Sequence, residues 1–182
     1  MQSRVNLYSM YRTHNCNQLR LENKGASVTL CGWVHRKRDH GGLLFIDLRD
    51  RYGYTQLVSD PDNFKDAHKV MDSLKPEYVV KITGEVRERP KGMCNKDIET
   101  GDVEILVKEA EIVSTSEVLP FEVDQDKDLA EEIRLEYRYL DLRRDRMKKN
   151  IIMRHKIITM IRDFMDGEGL LEIETPILIN GT

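Results

Sequence analysis

Residues 28–35 read Val-Thr-Leu-Cys-Gly-Trp-Val-His, and this stretch sets the fold through its alternation. Val28, Leu30 and Val34 occupy one phase, and the side chains between them are mixed in character. Successive side chains of a β-strand point to opposite faces of the sheet. The pattern therefore predicts a strand with one packed face and one free face.

The same period of two returns in four later segments. These segments are residues 44–49, 54–59, 80–89 and 103–108. Between the second and third of them, residues 61–74 space their apolar side chains as one helical face. The order strand-strand-strand-helix-strand-strand is that of an OB-fold, a five-stranded Greek-key barrel that often binds nucleic acids or sugars. Other small barrels share this order, so they remain alternatives at this point.

Charge and cysteine content limit the classes of function. The 182 residues carry 29 Lys and Arg against 32 Asp and Glu, for a net charge of −3, so nucleic-acid binding would have to come from local basic patches. The three cysteines lie far apart, with no metal-ligand or redox spacing, which suits a reducing cytoplasm. No apolar run is long enough to span a membrane.

Residues 35–42 combine several cationic side chains with a Gly-Gly turn between the first two strands. Cations neutralise phosphates and glycine permits close approach, so this segment could follow a phosphate backbone. A solvated charged turn is the alternative, since charged hairpin tips are common.

Phe45 is the more specific signal for binding. Its neighbours Leu44 and Ile46 take the core phase, so Phe45 is expected on the free face. An aromatic ring on the open face of an OB strand can stack on a base. The alternatives are that Phe45 fills the far side of the barrel or contacts another domain.

Arg87, Arg89 and Glu104 also take the free phase. Arginine can bind phosphates and base edges, and a carboxylate can accept hydrogen bonds from base N–H groups. The alternative is a cross-strand ion pair.

The second half of the chain has a different character. A polar, acidic linker leads into a short helical segment, and residues 143–168 then carry the longest helical pattern, which ends near Gly167. Residues 170–179 are expected to be extended and are interrupted by Pro176. We therefore predict an N-terminal extension (1–11), an OB-fold domain (12–115), a linker and hinge (116–142) and the truncated start of a second domain (143–182).

Several stretches together resemble the N-terminal part of the bacterial-type aspartyl-tRNA synthetases, which are class II aminoacyl-tRNA synthetases. The matching stretches are residues 11–14, 30–36, 44–50 and 137–144, and residues 173–178, Ile-Glu-Thr-Pro-Ile-Leu, resemble class II motif 1. Asparaginyl- and lysyl-tRNA synthetases share the general plan and remain alternatives. A stand-alone OB-fold nucleic-acid-binding module is the alternative from another class.

The resemblance implies a mainly β, anticodon-binding OB-fold, followed by a helical hinge and the long helix and motif 1 strand that open a class II α+β domain. By position, Phe45 would stack on the middle anticodon base and Gln56 would hydrogen-bond it. Glu104 would read the first base, and Arg38 would lie near the third. Further backbone or base contacts are expected from Arg36, Arg87 and Arg89.

Two loop residues bear on which tRNA is accepted. His40 and Gly92 fall in the loops that, by the resemblance, lie near the third anticodon base. Family members that accept both tRNA(Asp) and tRNA(Asn) typically carry a histidine and a glycine there. The resemblance thus points to a non-discriminating enzyme. The alternative is that residues 40–42 form an ordinary turn and that Gly92 only relieves backbone strain after Pro90.

The activity that the resemblance implies is that of an aspartate–tRNA ligase. Such an enzyme activates L-aspartate with ATP and Mg²⁺ as aspartyl-adenylate and then esterifies the tRNA 3′ end. Motifs 2 and 3, which hold these ligands, are expected beyond Thr182, so we expect no catalytic residue, metal or cofactor site in this segment. Motif 1, with Pro176, would help to form the interface of a cytoplasmic homodimer.

Overall fold

A computed structural model describes residues 11–125 and 127–176. The chain divides after Leu119 into two compact units. Apart from Tyr11, the predicted N-terminal extension lies outside the described residues. The finer boundaries expected at 115 and 142 stay predictions.

The first unit is a closed five-stranded barrel. Its elements are β1 (Ser27–His40), β2 (Leu43–Arg49), β3 (Tyr54–Ser59), α1 (Lys65–Ser73), β4 (Val79–Glu88) and β5 (Val103–Ser114), with a short 3₁₀ helix, Leu21–Asn23, before β1. Around the barrel the order is β1-β2-β3-β5-β4, and β4 closes onto β1. Only the β3–β5 pairing is parallel among the pairings of these strands. This topology confirms the predicted OB-fold.

The barrel interior is filled by the side chains in the predicted core phase. Fully buried members include Leu30, Val34, Ile46, Leu48, Leu57, Ile82 and Ile105. Helix α1 adds Ala67 and Met71 to the same core. Each of the larger side chains contributes about 1.5–3 kcal/mol by leaving water. Gly32 is required within β1, because a Cβ there would lie 2.4 Å from the carbonyl oxygen of Arg49.

The hairpin between β1 and β2 is tighter than the sequence indicates. β1 continues through the cationic segment to His40, which pairs with Leu43. Gly41 and Gly42 alone make the turn, with φ values of +65° and +93° that favour glycine. The cations of residues 36–38 therefore stand on a paired strand rather than in a flexible loop.

The second unit contains α2 (Glu131–Glu136), α3 (Arg138–Asp141) and α4 (Asp145–Gly167). These helices confirm the predicted hinge and long helix. The hinge is organised around Asp141, which is fully buried and accepts hydrogen bonds from Arg134, Arg138 and Arg144. Burial acts to raise the pKa of Asp141, but the hydrogen bonds and charges of these arginines outweigh it and lower that pKa.

Helix α4 carries apolar side chains that are exposed in the second unit. Ile151, Ile161 and Met165 retain 44%, 48% and 45% of their accessible surface. Residues 170–176, including the exposed Pro176, pair with no other segment among the described residues, and the motif 1 strand stays a prediction. The rest of that stretch lies outside the described residues. None of the described helices is long and apolar enough to cross a membrane.

Candidate nucleic-acid interface

A row of polar side chains crosses the outer face of the barrel, and strand register sets its order. Arg36 stands opposite Asp47 across β1 and β2, and Asp47 stands opposite Gln56 across β2 and β3. Glu104 on β5 stands opposite Arg87 on β4. We call these five residues and Arg38 the polar row.

A β-bulge aligns the β1 arginines with this face. The register between β1 and β2 shifts between Val34 and Arg36. Past the shift, Arg36 and Arg38 face Asp47 and Phe45. Bulges commonly re-aim side chains in this way, so both arginines join the face that carries the aromatic ring.

The centre of the polar row is a hydrogen-bonded triad. Gln56 donates from Nε2 to Oε2 of Glu104 over 3.2 Å, and Arg87 donates from Nη2 to Oε1 over 3.0 Å. Glu104 keeps its predicted outer phase, but it is only 5% exposed. The expectation of an open carboxylate is therefore corrected, because Gln56 and Arg87 hold it from the two flanking strands. The cross-strand ion pair considered as an alternative is present between Arg87 and Glu104.

Arg89 does not lie on the open face as predicted. It is 8% exposed, and its Nε donates to the carbonyl of Val103 over 3.0 Å. Its Nη2 has no hydrogen-bond partner among the residues that the structure describes. Burial lowers the pKa of Arg89, whereas the nearby charges of Glu104 and Asp47 oppose that effect. Strand β4 ends at Glu88, so Arg89 no longer follows the strand alternation. It is a buried positive charge near these acids and not an exposed contact for a tRNA backbone.

Phe45 stands beside the polar row in the predicted phase. Its neighbours Leu44 and Ile46 are buried, and Phe45 itself is half-buried. The ring of His40 meets it edge to face, with ring centroids 5.6 Å apart and an interplanar angle of 74°. This contact ties the hairpin end to the aromatic ring. Stacking of Phe45 on a base stays a prediction.

Asp47 is the member of the row that sequence reasoning missed. Its two carboxylate oxygens accept hydrogen bonds from Nη2 of Arg38 at 2.8 and 2.9 Å. The sequence offered one indication: Asp47 is two residues after Phe45 in the strand, so its side chain lies on the same face of the sheet. A single acidic residue on β2 had no visible partner in the sequence, because Arg38 reaches it only across the hairpin.

The loop after β4 carries Gly92, which was predicted with His40 to lie near the third base. Gly92 has φ +84°, and a Cβ there would meet nothing within 4 Å. Met93 is 68% exposed, and the thiol of Cys94 donates to Asp102 over 2.8 Å, which raises the pKa of Cys94. The backbone at Gly92 thus favours glycine, while the surrounding space would accept a side chain. The approach of Gly92 and His40 to one shared base stays a prediction.

Comparison with known proteins matches both parts of the chain. Residues 28–113 match the OB-fold nucleic acid binding domain family, and residues 130–182 match tRNA synthetases class II (D, K and N). An Aspartate--tRNA(Asp/Asn) ligase of Desulfatibacillum aliphaticivorans is 51% identical over 97% of this chain and 30% of its own length. The protein of the same name from Dictyoglomus turgidum is 51% identical over 95% of this chain and 29% of its own length.

Solved structures show the same fold. The asparaginyl-tRNA synthetase of Pyrococcus horikoshii with asparaginyl-adenylate superposes with a TM-score of 0.75 at 24% identity, covering 92% of this chain and 37% of that one. A putative aspartyl-tRNA synthetase of Leishmania major superposes with a TM-score of 0.76 at 23% identity, covering 89% and 33%.

The two matched segments, in this order, define a class II aminoacyl-tRNA synthetase of the D, K and N group. Within that group, the chain belongs to the aspartyl-tRNA synthetase family. It spans about 30% of the length of the curated relatives that it matches.

Proposed function

We propose that the outer face of this OB-fold binds the anticodon of tRNA(Asp). The observation that carries the proposal is the juxtaposition of Phe45 with the hydrogen-bonded triad of Gln56, Glu104 and Arg87. Stacking groups and base-edge partners then lie on neighbouring strands. Single-stranded anticodon bases are recognised by this combination of stacking and hydrogen bonding on their edges.

Each residue has a distinct role in the proposal. Phe45 stacks on the middle base and Gln56 hydrogen-bonds it, while Glu104 accepts from the N1–H and amino groups of guanine at the first position. Arg38 lies near the third base. Arg36 and Arg87 supply positive charge for phosphates, and Arg89 adds a buried positive charge near Glu104 and Asp47.

The whole protein is proposed to be an aspartate–tRNA ligase. It would activate L-aspartate with ATP and Mg²⁺ and transfer the aspartyl group to tRNA, acting in the cytoplasm as a homodimer with Pro176 in its interface. Its relatives' names and the class II match support this activity. Among residues 11–125 and 127–176, no group of three or more side chains is arranged to hold a metal ion. Within the described residues, the proposal assigns tRNA binding to the outer face of the barrel.

We further propose that the enzyme accepts tRNA(Asn) as well as tRNA(Asp). The two anticodons differ only at the third base, where one has cytosine and the other uracil. Gly92 presents no side chain that could reject one of them, and His40 lies beside Phe45 at the hairpin end. The names of the relatives, Aspartate--tRNA(Asp/Asn) ligase, support this proposal.

The test is binding of isolated anticodon stem-loops to the chain. The aspartate stem-loop should bind at least tenfold more tightly than one with a scrambled anticodon, a difference of about 1.4 kcal/mol. The affinity for the lysine stem-loop is measured as well. Tighter binding of the lysine loop than of the aspartate loop would favour the lysyl-tRNA synthetase alternative. Equal affinity for the aspartate and scrambled loops would show that only the phosphate backbone is bound, and would overturn the proposal.

A further inference from the structure

We infer that Glu104 fixes the side-chain amide of Gln56 and so makes Gln56 a selective acceptor toward the middle anticodon base. This inference rests on the proposed function. It adds a second role to Glu104, which would control the readout of a base that it does not itself contact.

The chemistry of the partner decides which way the Gln56 amide points. Amide nitrogen and oxygen are usually hard to tell apart and must be assigned from their hydrogen bonds. An ionised carboxylate can only accept. The oxygen of Glu104 that lies 3.2 Å from the Gln56 amide therefore requires the NH₂ group at that position. The reverse orientation would set two acceptors against each other.

The surroundings hold Glu104 in place before any base arrives. Its second oxygen accepts from Arg87 over 3.0 Å, and its side chain is almost fully buried. The positive charge of Arg89 lies close by. The parallel pairing of Leu57 with Ile105 places Gln56 and Glu104, the residues before them, side by side. The amide orientation is thus built into the barrel.

The consequence is a preference for bases that donate. With its NH₂ group committed to Glu104, Gln56 keeps its carbonyl oxygen for a ligand. That oxygen accepts no hydrogen bond from the residues that the structure describes. Uracil offers an N3–H donor to such an oxygen, whereas cytosine has an acceptor at N3 and donates only from its amino group at the neighbouring position, C4. The preference therefore concerns the group at N3. Gln56 should therefore favour uracil over cytosine at the middle position.

The test compares two stem-loops that differ only in uracil or cytosine at the middle base. The unmodified chain should favour uracil by roughly tenfold to a hundredfold. Glu104→Gln replaces the carboxylate by an amide that can donate or accept, so the ratio should fall to within about threefold. The ratio, rather than the affinity, is the readout, because Glu104→Gln also weakens the first-base contact for both loops.

Two controls and one ligand-free measurement complete the design. Arg38→Gln removes a charge that pairs with Asp47 rather than with Glu104, so it should keep the ratio. Phe45→Ala should also keep it, since stacking tolerates every base. Nuclear magnetic resonance should show the Gln56 NH₂ protons protected from solvent exchange, with the protection lost in Glu104→Gln. An unchanged uracil-to-cytosine ratio, or unprotected NH₂ protons in the unmodified chain, would overturn the inference. Absence of anticodon-dependent binding altogether would instead count against the proposed function.

Discussion

Asp47 and Arg38 form a fork across the β1–β2 hairpin, in which one guanidinium nitrogen donates to both carboxylate oxygens at 2.8 and 2.9 Å. The Asp47 side chain is 19% exposed and that of Arg38 is 47% exposed. An ion pair this open to solvent contributes at most about 1 kcal/mol to folding. Its main effect is positional, because it holds Arg38 on the same face as Phe45.

Asp47→Ala should therefore weaken tRNA binding while leaving the fold intact. We expect a loss of roughly threefold to tenfold in affinity, because Arg38 must then be ordered when the tRNA binds. The free energy of unfolding should change by less than about 1 kcal/mol. The control is Glu85→Ala, which removes another exposed cross-strand pair, with Lys108. Both substitutions remove one negative charge, which by itself would strengthen binding to an anionic tRNA. A gain in affinity with both variants would therefore show that only net charge matters, and the positional role would be wrong.

Phe45→Ala should reduce affinity for the anticodon stem-loop by about 1–3 kcal/mol through lost stacking. Its effect on stability should be smaller than that of Ile46→Ala, because Ile46 is fully buried and its truncation costs about 2–5 kcal/mol. Isothermal titration and urea unfolding measure the two quantities. A Phe45 variant as unstable as the Ile46 variant would mean that Phe45 is a core residue.

Glu104→Gln should weaken binding selectively when the first anticodon base is guanine. Guanine donates from N1–H and its amino group to a carboxylate, whereas adenine has an acceptor at N1. Loss of a hydrogen bond to a charged group predicts a cost that is about 1.5–3 kcal/mol larger for guanine than for adenine, beyond the loss through the Gln56 amide that both loops share. Stem-loops differing at that base alone provide the measurement. Equal losses for both would indicate that Glu104 acts only within the barrel.

Asp141→Asn should destabilise the helical unit by on the order of 3 kcal/mol, because it leaves buried arginine charge without its acid. The pKa of Asp141 is lowered in the folded chain, so its contribution is present above the unfolded value of about 3.9 and is lost as pH falls through the folded value. Urea unfolding, followed by helical circular dichroism, should show this loss below about pH 4 in the unmodified chain and less of it in Asp141→Asn.

The exposed Asp163 on α4 supplies the control for this experiment. Asp163→Asn should change stability by no more than about 0.5 kcal/mol, as expected for a surface position. If Asp141→Asn were equally mild, the buried cluster would not stabilise the hinge.

The full-length enzyme should aspartylate transcripts of both tRNA(Asp) and tRNA(Asn). The physical reason is the missing side chain at Gly92, which leaves no group to reject uracil at the third position. Aspartylation of both transcripts under one set of conditions gives the ratio of their kcat/KM values. A preference for tRNA(Asp) above about a hundredfold, or roughly 2.7 kcal/mol, would contradict this expectation.

The barrel itself was accessible from local patterns. The alternation that runs through Val28, Leu30 and Val34 places side chains on two faces by backbone geometry alone. The phase of Phe45 between Leu44 and Ile46 followed from the same rule and is confirmed by burial. Phase is a local property, so a single strand carries enough information to predict it.

The exposure of a side chain and its hydrogen-bond partners depend on residues that are distant in the chain. For these two properties the structure differs from the prediction. Glu104 and Arg89 have the phase of a free face, yet Gln56 and Arg87 cover the first, and the second turns inward beyond the end of β4. The partner of Asp47 depends on a bulge and a two-residue turn that bring Arg38 across the hairpin. Strand phase follows from neighbouring residues in the chain, whereas coverage, charge pairing and amide orientation depend on which strands the barrel brings together.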